Sequence, residues 1–206
     1  MKFIDLKNTF SESPIIDIRN VTNYFGKIDK RRLYEWQQKN YIERLANNYY
    51  IFSDFHIDDS LLKRIANTIY SPSYIALESA LSFYHLIPEA VFQITSITTR
   101  KTKKMKNQLA SFRYQTINRS LFFGYTIQGN KESPHFISDP EKTMLDYLYY
   151  HSHLKSEEDF ESMRLNRDIF LDLINTDRLK KYLHIFKQHR LTKTMSKLER
   201  WLNVKF

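Results

Sequence analysis

The chain has 206 residues, 42% hydrophobic and 15% aromatic, enough apolar mass to bury a core and too much for disorder. Its 32 Lys and Arg outnumber 23 Asp and Glu, giving a formal charge of +9 that favours a polyanion or an acidic protein as partner. Cysteine is absent, which excludes disulfides and thiol chemistry; no apolar run approaches the ~18 residues of a membrane span, and Asp5 falls where a secretory apolar segment would run, so the expected location is cytoplasmic.

In chain order, residues 2–10 suit a short helix, and Ser11-Glu12-Ser13-Pro14 a turn. Residues 17–25 place Ile18, Val21, Thr22 and Phe25 at helical spacing, and Gly26 closes that helix. Asp29 caps a third helix running to about Lys39, with Leu33 and Trp36 facing the core and Asn40 as a left-handed exit. Residues 41–45 alternate like a strand, Ala46-Asn47-Asn48 turns, and residues 49–52 return. Three helices and a hairpin, with a tight break before the third helix, match a winged helix-turn-helix. Three-helix modules that never touch nucleic acid share the order. The polar stretch 53–60 marks a boundary, dividing the chain into a DNA-binding domain at 1–53 and an α+β domain at 54–206.

Beyond the boundary, residues 57–70 form an amphipathic helix stopped by Ser71-Pro72, and residues 74–84 read as a second helix. Residues 92–97, 112–117 and 121–127 read as strands. Asp139-Pro140 opens a helix to about Tyr150, and residues 156–201 are helical with breaks near Asn166 and Asn175. The expected class is therefore mainly helical α+β around a small sheet.

Four runs resemble the AbiEi family of antitoxins from type IV toxin–antitoxin systems, over most of the chain up to about Tyr150. They are Trp36 to Ile42 with Tyr49-Tyr50-Ile51; Ser73 to Tyr84 with Leu86-Ile87-Pro88-Glu89; Thr95 to Lys103; and Phe122-Phe123-Gly124-Tyr125 leading to Asp139 through Asp146. Asn40 and Asn48 stand where the family favours glycine, as does His85, and the wing tip carries no basic residue. The resemblance implies a cytoplasmic antitoxin of phage-defence systems, with two tasks. It would bind double-stranded operator DNA to repress its own operon, and it would counter a nucleotidyltransferase-type toxin without a tight complex. It implies no enzyme activity and no cofactor. A palindromic operator would seat a homodimer.

On the third helix, Arg31 suits guanine and Gln38 adenine, with Tyr34 beside them, while Lys27, Lys30 and Arg32 suit phosphates. Arg44, Asn47, Asn48 and Tyr49 are the wing candidates. Charge is distributed in blocks. Residues 90–131 hold eight basic residues and no acid, residues 132–177 four against eleven, and residues 178–206 nine against one. The blocks either pair with one another in the fold or leave a basic face exposed. Arg100, Lys101, Lys103, Lys104, Lys106, Arg113 and Arg119 form the second basic surface, readable as a solvated loop or as a further nucleic-acid contact. His151-x-His153 lacks the neighbouring ligands of a metal site, and Asp139 and Glu141 suit a helix dipole. A metal-dependent nuclease built from scattered acids, and an interaction module for an acidic protein, remain alternatives.

Overall fold

A computed structural model describes residues 1–89 and 91–206. The chain begins with α1 (Phe3–Thr9), β1 (Ile15–Asp17), α2 (Ile18–Phe25), α3 (Lys30–Gln38), β2 (Ile42–Ala46) and β3 (Tyr49–Phe52). Side-chain caps explain the helix starts: the Asp17 carboxylate accepts from Arg19 N and that of Asp29 from Arg31 N, each at 2.9 Å. Gly26 ends α2 at φ 81°. At the end of α3, Asn40 N donates to the Gln37 carbonyl and Tyr41 N to the Trp36 carbonyl, both at 2.9 Å, with Asn40 at φ 55°. This is the paired-bond helix stop that normally takes glycine. The strands form a sheet in the order β1-β3-β2 over a core of Leu6, Ile16, Val21, Leu33, Trp36, Ile42, Tyr50 and Phe52. Strand β1 lies outside the sequence expectation, which had only a turn before α2.

The rest is a six-stranded mixed sheet ordered β6-β7-β5-β4-β9-β8. Its strands are β4 (Ser73–Ile75), β5 (Gln93–Thr98), β6 (Lys103–Lys106), β7 (Ser111–Thr116), β8 (Tyr125–Gln128) and β9 (His135–Ser138). Helix α4 (Asp59–Ile69) covers one face through Ile65, Ala66 and Ile69 against Ile75, Ile94, Phe112, Tyr114 and Ile137. The other face meets α5 (Glu78–Phe83) and α6 (Pro140–Tyr150), against which α7 (Glu157–Ser162), α8 (Arg167–Leu173), α9 (Thr176–Phe186) and α10 (His189–Leu202) pack. The class is α+β.

Three sequence expectations change. The helix over 74–84 splits: Tyr74 and Ile75 belong to a central strand, and α5 starts only after Leu77, held at φ 56°. A strand buried on both faces shows no alternation, so its apolar run merges with the helix that follows. The strand over 121–127 also breaks, because Leu121 closes a 3-10 turn and Gly124 sits at φ 69° before β8 begins. A Cβ on Gly124 would meet the Lys142 and Tyr182 side chains at 3.0 Å. Finally, the basic run 100–106 is loop only at its start: Lys103–Lys106 form edge strand β6, where lysines also discourage pairing with another chain.

The core is continuous across residues 53–54. Ile15, Leu45 and Ile51 share one apolar cluster with Leu61, Ile65 and Ala66 of α4. Asn107 reinforces the junction. Its side-chain oxygen accepts from Leu109 N and Ala110 N to shape the β6–β7 turn, and its amide donates to the Leu45 carbonyl at 3.2 Å.

Candidate nucleic-acid interface

Helix α3 buries Leu33 and Trp36 and exposes Lys30, Arg31, Arg32, Tyr34, Glu35 and Gln38. Seven residues apart on a 3.6-residue helix, Arg31 and Gln38 lie within about 20° of each other, opposite the buried pair. Tyr34 is 61% exposed beside them. Lys27 is exposed in the preceding turn. Arg32 is less free, since its guanidinium donates to the Met1 carbonyl. Glu35 shares the outer face and opposes phosphate, but it can accept from a cytosine amino group.

The β2–β3 hairpin exposes Arg44, Asn47 and Asn48. Asn48 makes the turn at φ 65°, and its carbonyl accepts from Ile18 N at 2.9 Å, tying the tip to α2. Tyr49 is committed elsewhere: its hydroxyl accepts from Arg19 at 2.5 Å, and Arg19 also lies over its ring at 5.3 Å. Arg19, absent from the sequence-level set, is held in turn by Asp17. The hairpin candidates thus reduce to Arg44, Asn47 and Asn48.

The second basic surface is laid along β6. At one end, Arg100 stacks over the Tyr70 ring at 4.1 Å and Lys103 lies over it at 5.1 Å, while the Tyr70 hydroxyl donates to the Lys101 carbonyl at 2.9 Å. Lys104 stands opposite Arg113 on β7. At the other end, Lys106 faces the hairpin across a groove of about 490 Å³, lined by Gln37, Asn40, Glu43, Arg44 and Asn47 on one side and Lys106, Asn107 and Gln108 on the other. The fold therefore brings Arg44 and Asn47 together with Lys106. Arg119, exposed at the 3-10 turn, and Arg100 are not among the groove residues. None of the eight cations of residues 90–131 forms an ion pair among the described residues.

The groove carries amides at five positions, and these side chains can both donate to and accept from base edges. Glu43 adds a buried carboxylate oxygen with no hydrogen-bond partner, and burial pushes this carboxyl up. Asn107, Gln108 and Glu43 had no part in the sequence reading. The alternation Lys104-Met105-Lys106, with only Met105 half-buried, was the available sign that this stretch is a strand.

The acids near the domain centre are used structurally. Buried Glu141 pairs with Arg178 at 2.9 Å, so it does more than complement a helix dipole. Asp139 accepts from Lys142 N and from the Tyr182 hydroxyl, both at 2.8 Å. Asp146 holds fully buried Lys142 and accepts from the Tyr74 hydroxyl at 2.9 Å. His151 donates Nδ1–H to the Tyr147 carbonyl at 2.9 Å and pairs through Nε2 with Glu78. Among the described residues no group of three or more His, Cys, Asp or Glu is placed to hold a metal, and no helix is long and apolar enough to cross a membrane.

No known family model matches this chain, and no curated protein matches it.

Proposed function

We propose that residues 1–53 are a winged helix-turn-helix that reads double-stranded operator DNA, and that the chain is an autorepressing antitoxin of the AbiEi type that opposes a nucleotidyltransferase-type toxin. One observation carries the DNA-reading half: Arg31 and Gln38 stand exposed on α3, opposite its buried side, with none of the other described residues covering them. The order helix, strand, helix, helix, hairpin supports the module, because β1 closes the hairpin into a three-stranded sheet beneath α3. The antitoxin half rests on the four sequence runs. The left-handed backbone at Asn40, Asn48 and His85 supports it, since these are the positions where the family favours glycine.

Mobility shift on the chain's own promoter at low salt tests this reading. The expected result is a shift, with Arg31→Ala costing about 1–3 kcal/mol on that DNA and little on random duplex. Absence of a shift, or equal weakening on both duplexes, rejects base reading by α3. Co-expression with a nucleotidyltransferase-type toxin tests the antitoxin half by rescue of growth.

A further inference from the structure

Strands β4 and β9 pair at one point only, Ile75 to Ile137, and toward their N-terminal ends they part around a cavity of about 540 Å³. One wall is aromatic: Phe122, Tyr125 and Phe136 line it. One face of Tyr125 stacks on Tyr74 at 5.0 Å, yet Tyr125 remains 38% exposed and Phe136 43%. The opposing wall is polar and includes Arg64 of α4. This half-buried guanidinium donates only to neutral acceptors, the Glu132 carbonyl and, at 3.3 Å, the Ser13 hydroxyl. No carboxylate pairs with it among the described residues. A partly desolvated cation without a counter-charge is costly, and its spare donors suit an anion.

We propose that this cavity binds a mononucleotide, with its base against Tyr125 and Phe136 and its phosphate on Arg64. Base-on-aromatic contact and a guanidinium–phosphate pair are both strong and mutually compatible. Tyr49 lines the site too, so its occupant touches the β2–β3 hairpin. The inference is independent of DNA binding.

Calorimetric titration of the full chain with AMP and GMP, at about 150 mM salt, tests it. Saturable one-to-one binding is expected, with adenosine and inorganic phosphate each at least roughly tenfold weaker. Arg64→Gln should weaken AMP at least roughly tenfold, and Arg200→Gln, an exposed arginine of α10, should leave it unchanged. Three results would overturn the proposal: no saturation by about 5 mM nucleotide, inorganic phosphate binding as well as AMP, or unchanged AMP affinity in Arg64→Gln.

Discussion

Lys142 and Asp146 are fully buried one helical turn apart, with the Tyr74 hydroxyl donating to Asp146 and accepting from Lys142. The Lys142 ammonium also lies over Phe123 and Phe186, at 5.2 and 5.0 Å. Burial pushes the carboxyl up and the ammonium down, and each is kept charged mainly by the other. Asp146→Ala therefore strands a buried cation, and urea unfolding should show a loss of about 3–5 kcal/mol. Converting both, Lys142→Met with Asp146→Leu, should recover part of that loss, because an apolar pair carries no desolvation cost while the buried Tyr74 hydroxyl loses both its partners. Two histidines give the pH dependence. Burial, aided by the Lys63 charge, holds His135 below its ordinary range. Its folded form resists protonation, so its contribution to stability falls as pH drops through about 6.5. His151 is raised by its hydrogen bond to Glu78, so its contribution is complete below about 6.5 and is lost as pH rises through the folded value. Urea midpoints between pH 5 and 8 should then lose their decline below about pH 6.5 in His135→Gln, whereas His151→Asn should leave that decline in place and abolish the gain in stability on lowering the pH toward 6.5. Identical slopes in both variants would assign the dependence to other groups.

Among the elements, α5 ends as α3 does. His85 N donates to the Ser82 carbonyl at 3.0 Å and Leu86 N to the Leu81 carbonyl at 2.8 Å, with His85 at φ 56°. A side chain with a Cβ costs about 1–2 kcal/mol in that conformation, and asparagine less than histidine. Glycine would relieve the strain but would add about 0.4–1 kcal/mol of unfolded-state freedom. His85→Gly should thus stabilise the chain by about 0.5–1 kcal/mol, a rise of roughly 1–4 °C in a thermal melt. Asn40→Gly should gain less. The elements readable from sequence were those carrying their own punctuation: Asp17 and Gly26 around α2, Asp29 and Asn40 around α3, and Asp139-Pro140 before α6, with Asn166 and Asn175 capping α8 and α9. The missed β9 pairs along its whole length with neighbouring β8, but the missed strands β1 and β4 are three residues long and lean on partners far away in sequence, Ile15 on Ile51 and Ile75 on Ile137. Nothing local distinguishes such segments from a turn or a helix start.

Across the whole molecule, the charge blocks do not cancel one another. Glu141 with Arg178 is the one ion pair joining the acidic block 132–177 to the basic block 178–206 among the described residues, and residues 90–131 pair with nothing. The outer face of α3 was legible because period 3.6 separates Arg31 and Gln38 from Leu33 and Trp36. The groove beside it was not, because Arg44 and Lys106 are 62 residues apart and are brought together by the Asn107–Leu45 hydrogen bond and the shared apolar cluster. If the proposed DNA contact extends from α3 across this groove, Lys104 and Lys106 meet phosphates that flank the site read by Arg31. Each phosphate neutralised adds roughly 0.9 to the slope of log affinity against log salt. Lys104→Gln with Lys106→Gln should therefore lower that slope by up to about 1.8 and weaken all duplexes alike, whereas Arg31→Ala should act mainly on operator DNA. Both lysines are exposed on an edge strand, so folding should be unaffected and the melting temperature serves as the control. An unchanged slope in the double variant would confine the interface to α3 and the hairpin, and would leave to the β6 lysines only the task of keeping that sheet edge unpaired.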